Sequence, residues 1–520
     1  MNKKKFPIGL SALKEMRDGY YYIDKTAFVA MLTNQGKYYF LSRPRRFGKS
    51  LLLDTIKQAF LGNREIFKGL YLEHHWNWEK KHPVIHLNFA SNQMTKTSDL
   101  VETKITELLE AIAADNHVTL RSGLYSTQLG RLIRDIYEKH QEKVVILVDE
   151  YDKPILDAIT DISLAEEIRN ILRGLYSVIK ENDDKIQFAF LTGVSKFAKA
   201  GVCSGLNNLN DITYHKKYAT ICGYTQQELE HTFHSLITAD DLPKIKAWYN
   251  GYYFLGDEGV YNPFSILCFL ERGKHFSNYW FATGTPTFLV DLVKQRRFYF
   301  PNLEHVKISE DDLQSFDIET LPLIPLLLQT GYLTIQSEQH HGSKIFFTLT
   351  YPNLEVRQSL NGSFAGMLVS LEKKNETDNA IYEAFAQHQF EQLKDIFTSL
   401  FAAIPHDWYR NNNIQYYEGF YCATVYAYFM GLGYPAIAED VTSQGRVDLT
   451  VILDDCIVIM EFKLAKHDDA HKDAQSGLQQ IKDKHYADKY VAHKKPIYLL
   501  ALSFDTGKRN VRECAIELLP

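Results

Sequence analysis

The chain has 520 residues, a net charge of −6 and 45% hydrophobic residues, a length for which roughly three folded units are expected. This charge gives no overall attraction to nucleic acid, and no apolar run approaches the ~20 residues of a membrane helix. The basic N-terminus lacks a following apolar segment, so we do not expect a secretory signal. Six scattered cysteines without a C-x-x-C pair indicate reduced structural thiols and argue against a zinc site. We therefore expect a cytoplasmic protein without a membrane partner.

The elements predicted in chain order indicate an α/β protein with several domains. Residues 1–225 alternate helical stretches with apolar runs typical of a parallel sheet buried on both faces; the runs are Tyr38–Ser42, Val84–Phe89, Val144–Val148 and Gln187–Leu191. Residues 226–300 become helical and aromatic, as in a lid region. Residues 301–365 end in a helix and a strand hairpin, which suggests a winged-helix-like region. Residues 366–520 restart with amphipathic helices and then shift to strands.

The segment after the first strand, Arg43-Pro-Arg-Arg-Phe-Gly-Lys-Ser50, has the layout of a nucleotide phosphate-binding loop. Backbone N–H groups and the helix N-terminus would hold the phosphates. Lys49 would reach the β- and γ-phosphates, and the Ser50 hydroxyl would bind Mg²⁺. Arg45, Arg46 and Gly48 complete the predicted nucleotide-binding residues of the loop. The first glycine of G-x-x-x-x-G-K-[ST] is replaced by Arg43, so the motif is either damaged or a variant.

Two further strand ends carry polar residues that such a loop requires. Asp149 and Glu150 follow the run Val144–Val148, where Asp149 would help to hold Mg²⁺ and Glu150 would polarise the attacking water. An exposed acidic turn is the alternative interpretation. Thr192 or Ser195, at the end of the next strand, could sense the γ-phosphate or cap the following helix. Arg169 and Arg173 are candidates for an arginine finger, although a surface role is favoured.

Taken together, these motifs resemble the prokaryotic AAA-ATPase-like family. The resemblance rests on the Arg43–Ser50 loop, on Val148-Asp-Glu-Tyr-Asp152, on Leu191-Thr-Gly193, on Gly205-Leu-Asn-Asn-Leu209 and on Tyr22-Ile-Asp-Lys-Thr26. Members of that family commonly lack the first loop glycine, so Arg43 fits its pattern. The resemblance implies a P-loop NTPase domain with three α/β/α layers that uses ATP and Mg²⁺. It leaves open whether ATP is hydrolysed or only bound.

The C-terminal region contains a second candidate site on a predicted hairpin. Two apolar runs flank Asp454-Asp455, and a two-residue turn there pairs residue 453 with residue 456. Counting outward places Asp448 opposite Glu461, and Lys463 shares the face of Glu461. Two adjacent carboxylates suit Mg²⁺ or Mn²⁺, and a lysine beside them can activate a water. An exposed hairpin with an ordinary Glu-Lys pair is the alternative.

Residues 380–520 resemble the PD-(D/E)xK nuclease domain, whose restriction-endonuclease-like α/β core has the predicted α-β-β-α-β order. The resemblance implies that Asp448, Glu461 and Lys463 carry hydrolysis and that Asp448 and Glu461 bind the metal. Gln479 or Gln480 would be an auxiliary group, with Gln479 preferred, and Glu418 an accessory carboxylate. A basic excess between Lys463 and Arg512, eleven Lys/Arg against six Asp, would contact the phosphate backbone.

The sequence thus predicts an ATPase module fused to a metal-dependent nuclease, with ATP gating access to nucleic acid. DNA is favoured over RNA as the partner, and a homo-oligomer is left open. Defence or mobile-element biology suits such a fusion by analogy. Two alternatives remain: an ATP-switched scaffold that binds nucleic acid without cutting it, and an ATPase motor or remodeller.

Overall fold

A computed structural model describes residues 4–90, 97–196, 208–283, 303–314, 322–405, 418–465 and 470–519. Internal contacts divide the chain into two compact units. The first comprises Met1–Phe288 and His305–Asn353, and the second comprises Leu289–Glu304 and Leu354–Pro520. The finer boundaries expected at residues 225, 300 and 365 stay a prediction. No helix within the described ranges is both long and apolar enough to cross a membrane.

The central sheet of the first unit is parallel throughout. Its described strands are β1 (Tyr38–Ser42), β2 (Val84–Asn88), β3 (Val144–Asp149), β4 (Ile186–Gly193) and β5 (Asn210–Asp211). All residues of β3 are buried, as its apolar run predicts. The order is β2-β3-β4-β1-β5, so β4 lies between the strand that leads into the predicted phosphate loop and the strand that ends in Asp149. The four predicted strands are confirmed, whereas the two-residue β5 was not predicted.

Helices surround this sheet and continue to the end of the first unit. Several begin at capping side chains: Thr97, Asp161 and Asn262 each accept a backbone N–H of the helix that follows. The described helices are α1 (Leu13–Met16), α2 (Thr26–Gln35), α3 (Lys49–Phe60), α4 (Ser98–Asp115), α5 (Tyr125–His140), α6 (Lys153–Asp157), α7 (Ile162–Glu181), α8 (Gln226–Phe233), α9 (Leu242–Tyr249), α10 (Pro263–Glu271), α11 (Glu310–Gln314) and α12 (Leu323–Thr330).

A small antiparallel sheet closes the first unit. Its described strands β6 (Val306–Ser309), β7 (Thr334–His341) and β8 (Lys344–Thr350) have the order β6-β8-β7. The helix α12 ends at Gly331, whose φ of 90° makes it the left-handed cap. The predicted helix followed by a hairpin is therefore confirmed.

The second unit has a mixed sheet flanked by helices. Its described helices are α13 (Leu354–Leu368), α14 (Leu371–Ala386), α15 (Leu393–Ala403), α16 (Glu418–Gly431) and α17 (Ala470–Asp483). Its strands are β9 (Ala436–Thr442), β10 (Gly445–Ile452), β11 (Ile457–Leu464), β12 (Ile497–Asp505) and β13 (Asn510–Leu519). The order is β13-β12-β11-β10-β9, and only the pair β11–β12 is parallel among these described strands.

The hydrophobic core under α17 fixes this helix against the sheet. Leu478 and Ile481 of α17 are buried together with Val447, Ile457 and Ile459 of the hairpin strands. The order expected from the sequence omitted the edge strands β9 and β13. Both carry polar residues, and the exposed or half-buried positions of an edge do not show the apolar run of a central strand.

Candidate functional site

The predicted phosphate loop lies between β1 and α3 and closes on its own lysine. Gly48 precedes the helix with a φ of 91°, a left-handed conformation that favours glycine. The Nζ atom of Lys49 donates to the carbonyl oxygens of Arg43 and Pro44, each at 3.0 Å. Burial lowers the pKa of Lys49, while the nearby Glu150 and Asp149 oppose that shift. The lysine is therefore held inside the loop by backbone dipoles.

Arg43, in the place of the first glycine, is part of the interior. Its guanidinium donates to the carbonyl oxygens of Ser42 at 2.9 Å, of Thr213 at 2.7 Å and of Tyr218 at 3.1 Å. It also lies 3.8 Å from the centre of the Phe254 ring. Burial lowers the pKa of Arg43 to about 10. A glycine could make none of these contacts, so the motif is a variant in which the side chain at position 43 anchors the loop.

A cavity of about 490 Å³ opens beside this loop, a volume within the usual range of small-molecule sites. The structure brings five of the predicted nucleotide residues into its wall, together with the predicted catalytic carboxylate: Arg45, Arg46, Gly48, Lys49, Ser50 and Glu150. Glu150 has a φ of 52°, a strained conformation for a residue with a side chain. Lys153, which the sequence analysis did not select, lines the cavity three residues further on.

The N-terminal motif Tyr22–Thr26 contributes to the same cavity. Tyr22 and Lys25 belong to its wall. The Nζ atom of Lys25 donates to the Thr220 carbonyl at 2.8 Å and pairs with Glu228 at 2.7 Å. From the sequence alone, this motif had no role beyond a family resemblance, and its place in the cavity wall explains why it accompanies the loop.

Asp149 and Thr192 occupy neighbouring strand ends without lining the cavity. Asp149 is 1% exposed and Thr192 is fully buried. The register of β3 and β4 pairs Val148 with Leu191, so these two residues come next on each strand. Asp149 Oδ1 and Thr192 Oγ1 are buried and have no hydrogen-bond partner among the described residues. A buried polar atom without a partner is costly. A water or a cation that bonded to these two atoms would remove that cost.

The remaining candidates of the first unit are engaged elsewhere. The Ser195 hydroxyl donates to buried Asp152 at 2.5 Å, which leaves Thr192 as the better placed of the two sensor candidates. Arg169 lies 3.7 Å from Glu166 on α7, and Arg173 is exposed. Neither arginine lines the cavity, so the described residues give no support to the finger role. Of the segment Gly205–Leu209, residues 205–207 lie outside the described residues.

The hairpin of the second unit has the predicted register. The ladder of β10 and β11 runs from Ile452↔Ile457 to Leu449↔Met460, so Asp448 and Glu461 are the next pair. Asp448 Oδ2 accepts the backbone N–H of Phe462 at 2.7 Å. Lys463 Nζ donates to Glu461 Oε1 at 2.7 Å. The three predicted residues therefore lie together at one end of the hairpin.

Glu461 has the properties of a carboxylate that is suited to hold a cation. It is 2% exposed, and its Oε2 atom is buried without a hydrogen-bond partner among the described residues. Burial and the charge of Asp448 raise the pKa of Glu461, against the opposing effect of Lys463. Two neighbouring carboxylates with an unpartnered oxygen are the donor set that Mg²⁺ or Mn²⁺ prefers. The residues present thus fit the predicted metal.

The prediction of Gln479 as the auxiliary group is wrong about contact, because Gln480 is the residue that donates to Glu461 Oε1. Gln479 instead donates to Asp483 at 2.7 Å on the exposed side of α17. A Cβ added to Gly477 would lie 2.8 Å from the Cβ of Ala501, so glycine allows α17 to approach the sheet. Gln480 then faces the site one helical turn later.

Two further expectations for this region have different outcomes. Glu418 begins α16, but its side chain lies outside the described residues, so its accessory role stays a prediction. The basic excess near the C-terminus is partly neutralised where it is described. Four of its cations form ion pairs with carboxylates: Lys463 with Glu461, Lys482 with Glu517, Lys489 with Asp440 and Arg512 with Asp473. A continuous basic track is therefore less marked than the sequence suggests.

Comparison with known proteins agrees with the two predicted domains. Residues 7–203 match the family profile described as predicted AAA-ATPase, and residues 416–514 match that of the PD-(D/E)XK nuclease superfamily. A protein of Azotobacter chroococcum mcd 1, named "Uncharacterized protein in vnfD 5'region", is 43% identical over 522 residues, with 100% of each chain covered. The two-part organisation inferred from the motifs is thereby confirmed.

Proposed function

Because this chain belongs to the family of predicted AAA-ATPases with a C-terminal PD-(D/E)XK nuclease-superfamily domain, we propose that it binds and hydrolyses ATP and cleaves phosphodiester bonds in nucleic acid. The observation that carries the nuclease proposal is the buried Oε2 atom of Glu461, unpartnered among the described residues, beside Asp448 and Lys463. A structural carboxylate in this position would be expected to have its second oxygen satisfied.

In the nuclease reaction, Asp448 and Glu461 would hold the divalent cation. That cation would neutralise phosphate charge and lower the pKa of a bound water. Gln480 and Lys463 both donate to Glu461 Oε1, so they fix the orientation of the carboxylate and leave Oε2 for the metal. The Lys463 ammonium, beside Glu461, would stabilise negative charge that develops on the phosphate oxygens.

In the ATPase reaction, the phosphates would replace the loop carbonyls as partners of Lys49. Ser50 and Asp149 would hold Mg²⁺, which neutralises charge on the β- and γ-phosphates when it is bound. Glu150, in the cavity wall, would orient and polarise the attacking water. Thr192, with an unpartnered hydroxyl among the described residues, would respond to the γ-phosphate.

Contacts of the loop connect it to the end of α12 and to Trp280 within the first unit. A Cβ placed on Gly331 at the end of α12 would lie 2.7 Å from the Pro44 ring, so helix and loop are in close approach. The indole N–H of Trp280 donates to the Arg45 carbonyl at 3.0 Å. A phosphate that bound Lys49 would remove its hydrogen bonds to the Arg43 and Pro44 carbonyls. The loop would then lose bonds that hold it in place against Gly331 and Trp280. We infer that ATP controls access of nucleic acid to the nuclease, with DNA favoured over RNA. We also infer that the protein acts in defence or mobile-element biology.

The test is incubation of the full chain with Mg²⁺ or Mn²⁺ and labelled DNA and RNA, single- and double-stranded, with and without ATP. We expect cleavage that Glu461→Ala abolishes and that Lys49→Ala uncouples from ATP. Glu439→Ala, an exposed carboxylate of the same unit, is the control that should cleave normally. Binding without any Glu461-dependent cleavage would favour the non-cutting scaffold. ATP-driven remodelling without cleavage would favour the motor.

A further inference from the structure

A second group of potential metal ligands lies at the opposite end of the β10–β11 hairpin. His388, Asp455 and Cys456 each offer one ligand atom, and these atoms lie within 4.8 Å of one another. His388 Nε2 is 2.9 Å from Asp455 Oδ2. Cys456 is a free thiol five residues before Glu461, a separation of roughly 16 Å along an extended strand. The group is therefore distinct from the carboxylate pair at Asp448 and Glu461.

The backbone at both contributing segments is fixed by contacts that need no ligand. His388 follows α14 with a φ of 53°, its N–H donates to the Phe385 carbonyl at 3.3 Å, and its ring stacks 5.8 Å from that of Phe390. On the other side, Leu453 N–H donates to the Cys456 carbonyl at 2.9 Å and closes the turn. The ligand group is thus held in place by a helix end and a tight turn.

The donor set selects the class of metal. An imidazole nitrogen, a thiol sulfur and a carboxylate oxygen are the ligands that Zn²⁺ combines in proteins, whereas Mg²⁺ prefers oxygen alone. His388 and Asp455 are 35% and 64% exposed at their side chains, so a water could complete four-coordination. Against the expectation from the cysteine spacing, we propose that His388, Asp455 and the single cysteine Cys456 form a zinc site that links the β10–β11 turn to the end of α14.

Binding requires only an acid–base change. The Cys456 thiol releases its proton to solvent as the zinc–sulfur bond forms, and no oxidant or reductant takes part. The metal joins segments 67 residues apart in the chain, so it stabilises the folded second unit by mass action. Because that turn connects the strands carrying Asp448 and Glu461, the site would support the nuclease hairpin without touching the reacting phosphate.

The test uses Co²⁺ as a spectroscopic substitute for Zn²⁺ in the metal-stripped full chain. We expect one equivalent of Co²⁺ to produce a thiolate-to-cobalt charge-transfer band that added Zn²⁺ abolishes and excess Mg²⁺ does not. Cys456→Ser should remove the band. His388→Gln, at a partly exposed position, should weaken Co²⁺ binding by roughly tenfold or more, since even the partners of a metal-bound histidine contribute ~10–100-fold.

Two matched variants separate this site from others. Cys514→Ser removes a free cysteine of β13, and Glu461→Gln changes the nuclease carboxylate; both should retain the band. No thiolate band in the wild-type chain would overturn the proposal, as would a band that survives Cys456→Ser. Because Glu461→Gln abolishes cleavage but not the cobalt band, a failed zinc site and a failed nuclease proposal give different results.

Discussion

The two candidate sites share one feature and differ in how it is built. Each contains a buried carboxylate oxygen without a hydrogen-bond partner among the described residues, Asp149 Oδ1 in one and Glu461 Oε2 in the other, and each has a lysine nearby. In the first unit, Lys49 is bound to loop carbonyls. In the second unit, Lys463 pairs directly with Glu461. The first lysine must change partners to meet a phosphate, whereas the second is already beside its carboxylate.

The first site therefore has to rearrange when a phosphate binds, whereas the side chains of the second site are already together. The phosphate loop is anchored by Arg43 to carbonyls more than 150 residues away in the chain, and elements of several regions close on it. Among the described residues, the second site is built from one hairpin and one helix. Substitutions at the first site should therefore lower both the stability of the protein and its affinity for ATP. Substitutions at the second site should lower the cleavage rate with little effect on stability.

The sharpest separation of the sites should come from Asp448→Asn and Glu461→Gln. Either change removes a negative charge at the proposed metal position, so we expect nucleic-acid cleavage to fall on the order of a thousandfold, comparable to the ~10²–10³-fold cost of one lost electrostatic stabiliser. ATP binding should be unchanged. Single-turnover cleavage and fluorescent-nucleotide titration measure the two effects. A parallel loss of ATP binding would break the comparison.

The next largest effect concerns Arg43, because restoring the usual loop glycine should be harmful. Arg43→Gly leaves several buried carbonyls without their donor and empties the space over Phe254, so we expect about 3 kcal/mol lower stability and markedly weaker ATP binding. Arg46→Gly is the matched control for stability alone, since Arg46 is exposed at a φ of 68°, where glycine is unstrained. Denaturant unfolding compares them; equal midpoints would contradict the anchoring role.

The pH dependence of stability should reveal the strained carboxylate of the second site. Burial and the charge of Asp448 raise the pKa of Glu461 to about 7. When a chelator keeps the site free of metal, the folded state therefore binds the Glu461 proton more tightly than the unfolded state does. Stability should then fall as pH rises from about 5 to about 8, by about 2 kcal/mol. Glu461→Gln should flatten that fall, and Glu439→Gln should not. If Glu461→Gln had the same dependence of stability on pH as the wild type, the pKa of Glu461 would not be raised in the folded state.

The smallest effect distinguishes two adjacent glutamines. Gln480→Ala removes a donor to Glu461, so we expect roughly tenfold slower cleavage, near the lower end of the ~1.5–3 kcal/mol of a hydrogen bond to a charged group. Gln479→Ala, which loses only a surface bond to Asp483, should cleave within about twofold of the wild type. Initial rates at saturating Mn²⁺ decide between them, and the reverse order would refute the assignment of Gln480.

Local patterns in the sequence predicted the parts of these sites that depend on neighbouring residues. Counting outward from the Asp454-Asp455 turn placed Asp448 opposite Glu461, because strand register follows from the turn. Helix phase against a sheet cannot be counted in this way, since it depends on the close approach at Gly477 and on the core beneath α17; hence Gln479 was preferred to Gln480. The hydrogen-bond partners of Arg43 also could not be predicted from local patterns, because they lie far from it along the chain.

Manganese binding tests the central claim most directly. Calorimetric titration of Mn²⁺ into the metal-stripped, nucleotide-free chain at about pH 8, where Glu461 is ionised, should show a site that Glu461→Gln abolishes and Glu439→Gln preserves. That result would identify the unpartnered Glu461 Oε2 as a cation ligand. Identical Mn²⁺ stoichiometry and affinity in wild type and Glu461→Gln would contradict the account.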